Sequence, residues 1–119
     1  MGLRKVLDLG EWWRRETRLP VPLGGNAVRR DVPEKDATAV ATAIRESILY
    51  ALSHREEALD HALRFARGVD RERADRFIGM YVNDYTLDLG EKGREAVRAL
   101  LGRAFERGLI PSAPRLDWA

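Results

Sequence analysis

The sequence contains no cysteine and no long apolar run, and each absence excludes classes of protein. Without cysteine there can be no disulfide, Cys-based zinc site, iron–sulfur cluster or thiol nucleophile. No apolar run approaches the roughly 20 residues of a membrane span, and no signal-peptide hydrophobic region follows Met1. We therefore expect a cytoplasmic protein with no membrane partner.

The length and composition are those of one small folded domain. The chain has 119 residues, of which 45% are hydrophobic and 34% charged, so it is predicted to be globular rather than disordered. Its charge is uneven. Residues 1–30 carry seven basic and three acidic side chains (net +4), whereas residues 31–119 carry 14 basic and 16 acidic ones (net −2).

The basic front segment leaves one alternative function open, a helical module that binds nucleic acid. Adjacent helical positions diverge by about 100°, so Trp12 and Trp13 cannot form one stacking platform for bases. The net charge of +2 is also small. We therefore predict no nucleic-acid partner, although five arginines would serve such a module: Arg14, Arg15, Arg18, Arg29 and Arg30.

The first 30 residues combine one predicted helix with extended segments. Residues 3–7 are predicted to form a short β-strand, and residues 27–30 a second one. Between them, Asp8 is a good N-cap for a helix, with Glu11 three positions later as in a capping box. Two prolines and two glycines in residues 19–26 exclude a helix there and predict an extended segment.

Everything after Asp31 is predicted to be helical. Asp31, Pro33 and Glu34 form a helix-start signal, and an apolar stripe with three- and four-residue spacing follows, which predicts one buried face. That stripe consists of Ala37, Val40, Ala41, Ile44, Ile48, Ala51 and Leu52.

Three further helices are predicted from their caps. Ser53 and Glu56 have capping-box spacing, and Asp70 is a good N-cap for the next helix. Gly68 is predicted to end the second helix, and Gly108 to follow the end of the last one.

No catalytic or metal-binding motif stands out from the residues alone. His54, Glu57 and His61 could share a helical face, but no further strong ligand lies nearby, so we predict no metal. A serine hydrolase would need a G-x-S-x-G elbow, which is absent. Gly24 and Gly25 fit a plain turn better than an anion site, because the phosphate-binding glycine patterns are missing.

Eight runs, in order along the chain, carry a resemblance to a known family: Asp8–Trp13, Glu16–Gly24, Arg29–Asp31, Ser47–Leu52, Glu56–Asp60, Tyr81–Asn83, Leu87–Gly93 and Gly108–Pro111. Together they resemble the 1,4-dihydroxy-6-naphthoate synthase family of the futalosine route to menaquinone. Arg18 departs from the pattern, since the family usually has glycine before the Leu-Pro pair, and this difference is expected to alter the turn that follows.

The resemblance implies an α/β fold of the type II periplasmic-binding-protein kind, of which this chain matches only the C-terminal part. Residues 1–19 would end the small lobe, residues 20–30 would form the hinge crossover, and residues 31–119 would be helices of the large lobe. Family members are substantially longer, and their catalytic histidine lies in a part with no counterpart here. His54 and His61 therefore cannot inherit its role.

The implied reaction is a lyase step that converts cyclic dehypoxanthine futalosine into 1,4-dihydroxy-6-naphthoate and a small carbon fragment. Pro22, Leu23, Gly24 and Gly25 are the predicted substrate-binding residues, with Asn26 a weaker candidate. No catalytic residue, metal or organic cofactor is assigned. We expect the chain to be inactive alone and to pair with the missing N-terminal lobe or with a second copy. A small-molecule-binding or accessory remnant, and half of a split enzyme, stay open as alternatives.

Overall fold

The computed structural model describes residues 3–118, which form six α-helices and no β-strand. The two predicted strands are therefore wrong, and the α/β assignment reduces to a mainly helical chain. Residues 3–7 have no regular secondary structure and form no ladder with any other described segment, and residues 27–30 lead into a turn in which Val32 N–H bonds the Arg29 carbonyl (3.2 Å). An extended segment without a hydrogen-bonded neighbour is not a strand. The helices are α1 (Leu9–Thr17), α2 (Glu34–Ser53), α3 (Arg55–Leu63), α4 (Arg71–Tyr81), α5 (Asp84–Leu87) and α6 (Gly90–Glu106).

The described residues divide into two compact units. The first contains residues 3–25 and 89–118, and hence α1 and α6; the second contains residues 26–88, and hence α2 to α5. The predicted lobe and hinge boundaries stay a prediction.

Helix α1 begins and ends where its sequence specifies. The Asp8 carboxylate accepts the Glu11 backbone N–H at 3.0 Å, as its cap position predicts. This hydrogen bond is the main cause that lowers the pKa of Asp8. At the other end Arg18 adopts a left-handed conformation (φ 60°), and its N–H bonds the Arg14 carbonyl at 2.8 Å. The helix thus stops one residue before the Leu-Pro segment.

Helix α2 is the longest element, and the apolar face that was predicted to be buried contains no buried side chain. Its 20 residues include no buried side chain, although the predicted apolar stripe lies at helical spacing. Val40 and Ile44 are 49% and 39% exposed. Within the second unit α2 contacts α3 and α5, but these contacts do not bury the stripe.

Only one residue separates α2 from α3, which changes the role predicted for Ser53. Its hydroxyl donates back to the Leu49 and Tyr50 carbonyls (2.9 and 3.0 Å), so it closes α2 rather than capping α3. The predicted Ser53–Glu56 capping box is therefore wrong. Helix α3 also ends at Leu63, earlier than predicted, and Gly68 (φ 67°) lies in the following loop.

Ion pairs join α3 to α4 within the second unit. Arg55 donates to the Asp75 carboxylate (2.8 Å) and backbone carbonyl (3.0 Å), and Arg71 bridges Glu56 and Asp60. The two carboxylates raise the pKa of Arg71. Helix α4 begins as predicted, with Asp70 accepting the Arg73 N–H at 2.9 Å.

The short helix α5 and the end of α6 follow from local capping residues. Asn83 accepts the Tyr85 N–H (3.0 Å), and its own N–H donates to the Thr86 hydroxyl (3.1 Å). Gly108 (φ 67°) follows α6 as predicted, and the Leu109 N–H bonds the Ala104 carbonyl at 2.8 Å. This is the Schellman arrangement, in which glycine takes the left-handed position.

The described chain has a small core for its size. Five of its residues are buried: Trp13, Leu59, Ala74, Gly93 and Ala96. Large apolar side chains are exposed in both units, such as Phe65 (75%), Phe77 (57%) and Leu109 (74%). The elements therefore leave apolar surface in contact with solvent.

Candidate functional site

The predicted substrate-binding segment, residues 22–25, lies directly after α1 in the first unit. The stretch of chain between α1 and this segment is held by Trp13, whose indole N–H donates to the Pro20 carbonyl at 2.9 Å. Thr17 adds a second local contact, because its hydroxyl accepts the Leu19 N–H at 3.1 Å. The segment is thus tied to the helix that precedes it.

Trp13 is itself buried and in contact with a side chain of α6. It is only 4% exposed, and the Arg103 guanidinium lies over its ring at 5.3 Å from the centroid. A cation over an indole face is the strongest form of this interaction among the aromatic side chains. Helices α1 and α6, both in the first unit, therefore meet at the residue that anchors the predicted site.

The segment presents an open backbone at Gly24 and Gly25. A Cβ added at either glycine would meet no atom within 4 Å, and neither has a positive φ. Leu23 is 58% exposed, while Pro22 is half-buried and Asn26 is exposed. Local structure therefore does not require glycine at positions 24 and 25, and a ligand or another protein surface can approach the backbone closely there.

Arg18 lies at the turn that enters this segment. Its φ of 60° and ψ of 16° are in the left-handed region, where a non-glycine residue is strained. This explains in physical terms why glycine suits the position, and it shows that arginine keeps the turn that glycine would favour.

A groove of about 430 Å³ in the second unit was not predicted from the sequence. Leu59, Ile78 and Val82 are among its apolar lining residues, and Tyr50 and Glu57 are among its polar ones. The Tyr50 hydroxyl donates to Glu57 Oε2 at 3.2 Å. The negative charge of Glu57 and this hydrogen bond raise the pKa of Tyr50.

The residues considered for a metal site have other contacts in this groove region. His54 stacks on Tyr50, with ring centroids 4.1 Å apart and an interplanar angle of 13°, while His61 packs against Phe65 at 5.3 Å. Glu57 accepts the Tyr50 hydroxyl. Across residues 3–118, no group of three His, Cys, Asp or Glu side chains could hold a metal ion.

The sequence does not predict the Tyr50–Glu57 pair, because a helix boundary lies between the two residues. Seven residues separate Tyr50 and Glu57, which is two turns of one helix, yet the chain changes from α2 to α3 at His54. Only the geometry of that junction brings the hydroxyl to the carboxylate, and periodicity does not predict it.

None of the helices in the described part of the chain is long and apolar enough to cross a membrane.

The described residues thus form a mainly helical chain with a non-helical segment anchored by Trp13 and with many exposed apolar side chains. Its family follows from sequence. The family model described as "Menaquinone biosynthesis" matches residues 1–106, and the chain belongs to that family.

Two curated relatives match nearly the whole chain. The 1,4-dihydroxy-6-naphtoate synthase of Thermus thermophilus is 44% identical over 114 residues, and the synthase of the same name from Streptomyces coelicolor is 41% identical over 111. The matches cover 96% and 93% of this chain but 42% and 39% of the relatives. The chain therefore spans about two-fifths of the length of the curated relatives it matches.

A solved structure agrees with the family. A crystal structure of an Archaeoglobus fulgidus protein matches with a TM-score of 0.84 and 45% identity, covering 90% of this chain and 40% of that one. The resemblance on which the family was predicted is confirmed, whereas the periplasmic-binding-protein fold stays a prediction.

Proposed function

We propose that this chain supplies one part of a 1,4-dihydroxy-6-naphthoate synthase that acts in menaquinone biosynthesis in the cytoplasm. The observation that carries the proposal is the pair of synthases that are 44% and 41% identical over nearly the whole chain. Identity at this level over more than 110 residues supports a shared fold and a shared role in the same reaction.

The proposed reaction is the lyase step on cyclic dehypoxanthine futalosine, which begins with removal of a proton by a positioned base. No residue of this chain is assigned as that base. His54 and His61 have structural contacts to Tyr50 and Phe65, and both lie outside the segment predicted to bind substrate.

The proposed contribution of the chain to the site is the segment Pro22–Gly25, within a two-lobe fold of the periplasmic-binding-protein kind. Support comes from the open backbone at Gly24 and Gly25 and from the anchoring of Pro20 by Trp13. A close approach to a flat aromatic substrate needs such side-chain-free backbone. Small-molecule binding without catalysis stays the alternative, together with the split enzyme.

A genetic experiment tests this function. A bacterium that makes menaquinone by the futalosine route and lacks its own synthase is given this chain, alone or with the stretch of the Thermus thermophilus relative that the chain does not match. We expect growth that depends on menaquinone only when both are present. Failure of the pair, with both polypeptides expressed and soluble, would contradict the proposal.

Substitutions in the segment make the test specific. Gly24→Val and Gly25→Val place branched side chains where the backbone is open. In the enzyme assembled from both polypeptides they should raise KM for the substrate and leave the fold intact. Gly102→Ala is a matched control, because Gly102 also has open space around a Cβ but lies within α6. It should leave KM unchanged.

A further inference from the structure

Gly10 in α1 contacts the stretch of chain that leads into the predicted substrate segment. A Cβ built on Gly10 would lie 3.7 Å from Val21 Cγ1 and 3.3 Å from Asp8 Oδ1. The Val21 side chain therefore lies against α1 at the residue of this helix that has no side chain of its own. A larger residue at position 10 would need the space that Val21 occupies.

The other members of the same helix face hold the residues just before Val21. Positions 10, 13 and 17 are three and four residues apart, which places them on one side of α1. The Thr17 hydroxyl accepts the Leu19 N–H at 3.1 Å, and the Trp13 indole donates to the Pro20 carbonyl at 2.9 Å. Since the next residue contacts position 10, the chain runs back along this face toward the start of α1.

The contact at Gly10 is the last of the three before the substrate segment. Residues 19–22 are half-buried, whereas residues 23–25 are exposed. Val21 lies between Pro20 and Pro22, and a proline fixes its own φ and restricts the residue before it. A shift of Val21 is therefore passed on to Pro22, because its own backbone has little freedom to absorb it.

We propose that Gly10 is a positioning residue for the substrate segment. Its lack of a side chain admits Val21 to the face of α1 and so sets where Pro22–Gly25 meets the substrate. The inference rests on the proposed function and adds a residue outside the segment that controls substrate affinity. Gly10 acts through Val21 and has no contact with the substrate itself.

The absence of cysteine allows the contact to be tested in the full-length chain without an activity assay. A disulfide joins Cβ atoms about 3.5–4.5 Å apart. Gly10→Cys/Val21→Cys should therefore form an intramolecular disulfide at least about tenfold faster than the matched control pair Leu9→Cys/Val21→Cys. Leu9 is 69% exposed and lies about 100° around α1 from Gly10. Mass spectrometry after alkylation of the free thiols measures the two rates.

Enzyme kinetics test the positioning role. Each full-length variant is co-expressed with the stretch of the Thermus thermophilus relative that lies outside the match, and KM and kcat are measured for cyclic dehypoxanthine futalosine. Gly10→Leu should raise KM about tenfold and leave kcat unchanged, because a displaced segment loses substrate binding. Gly102→Leu is the matched control, since Gly102 lies in α6 with open space around a Cβ, and it should leave KM unchanged.

A second substitution separates positioning from stability. Gly10→Leu/Val21→Ala should bring KM back to within about threefold of the wild-type value, because the shorter side chain frees the space that leucine needs. A loss of stability would instead lower the folded fraction, and hence the apparent kcat, at an unchanged KM. Val21→Ala does not relieve the contact with Asp8 Oδ1, so restoration also excludes a disturbed helix cap as the cause.

Three outcomes would overturn the inference: equal disulfide rates for the two cysteine pairs, an unchanged KM in Gly10→Leu, or no restoration by Val21→Ala. A wild-type complex that makes no product would contradict the proposed function, and the disulfide rates would then decide the inference alone. An active complex with equal disulfide rates would contradict the inference and leave the proposed function standing.

Discussion

Arg18 holds a backbone conformation that favours glycine, at the turn that leads into the predicted substrate segment. Its φ is 60°, and it is the one described non-glycine residue with a positive φ. Arg18→Gly should raise the free energy of unfolding by about 1 kcal/mol, since removal of the left-handed strain outweighs the added freedom of the unfolded chain. Chemical denaturation followed by circular dichroism measures the change.

The opposite substitution after α6 is its control. Gly108 has a φ of 67° in the Schellman turn, so Gly108→Ala should lower the free energy of unfolding by about 1 kcal/mol. If both substitutions changed stability in the same direction, left-handed strain would not be the cause.

Trp13 carries the second prediction at this scale. Trp13→Phe keeps an aromatic ring but removes the N–H that bonds the Pro20 carbonyl. We expect a loss of about 1–3 kcal/mol in the free energy of unfolding, from the lost hydrogen bond and the smaller buried ring. Trp12→Phe, at a residue 37% exposed, should change it by less than about 0.5 kcal/mol. Equal effects of the two variants would refute the anchoring role of Trp13.

At the scale of elements, the α2–α3 junction brings Tyr50 to Glu57, and a pH titration of Tyr50 measures the interaction between them. The pKa of Tyr50 is raised from its ordinary value of 10.0 by the charge of Glu57 and by the hydrogen bond. Glu57→Gln should therefore make Tyr50 ionise at lower pH, as followed by tyrosinate absorbance. Glu56→Gln, which removes a contact to Arg71 instead, should leave Tyr50 unchanged.

The same pair gives a pH dependence with a defined sign. Because the folded pKa of Tyr50 lies above its unfolded value, its contribution to stability is fully present below pH 10.0 and is lost as the pH rises through the folded pKa. A wild-type unfolding profile identical to that of Tyr50→Phe in this range would contradict the coupling.

Sequence predicted the elements whose cause is local and missed those whose cause is tertiary. The Asp8 and Asp70 caps and the Gly108 turn depend on neighbouring residues, and each forms as predicted. The strand over residues 3–7 failed because a strand needs a distant partner that the described chain does not provide.

In the predicted site, too, locally determined features were predicted and those that depend on tertiary contacts were not. Residues 20–29 are not helical, as the prolines and glycines predict, whereas the Trp13–Pro20 anchor and the Tyr50–Glu57 pair depend on contacts that no spacing specifies. The buried face predicted for α2 stays uncovered in the chain alone.

At the scale of the whole molecule, the uncovered apolar surface predicts association. The purified chain should form dimers or larger aggregates at micromolar concentrations, because many of its large apolar side chains, Phe65 and Phe77 among them, are exposed to water. Sedimentation velocity over a range of concentrations measures this. A stable monomer throughout would contradict the view that the chain is built to be covered by another polypeptide.

The central claim is that the chain is one part of a synthase and needs the rest of the family sequence to act. The most direct measurement is mass spectrometry of 1,4-dihydroxy-6-naphthoate formed from cyclic dehypoxanthine futalosine by the purified chain, alone and in complex with the missing stretch of the Thermus thermophilus relative. We predict product from the complex and none from the chain alone. Product formation by the purified 119-residue chain alone would contradict the account.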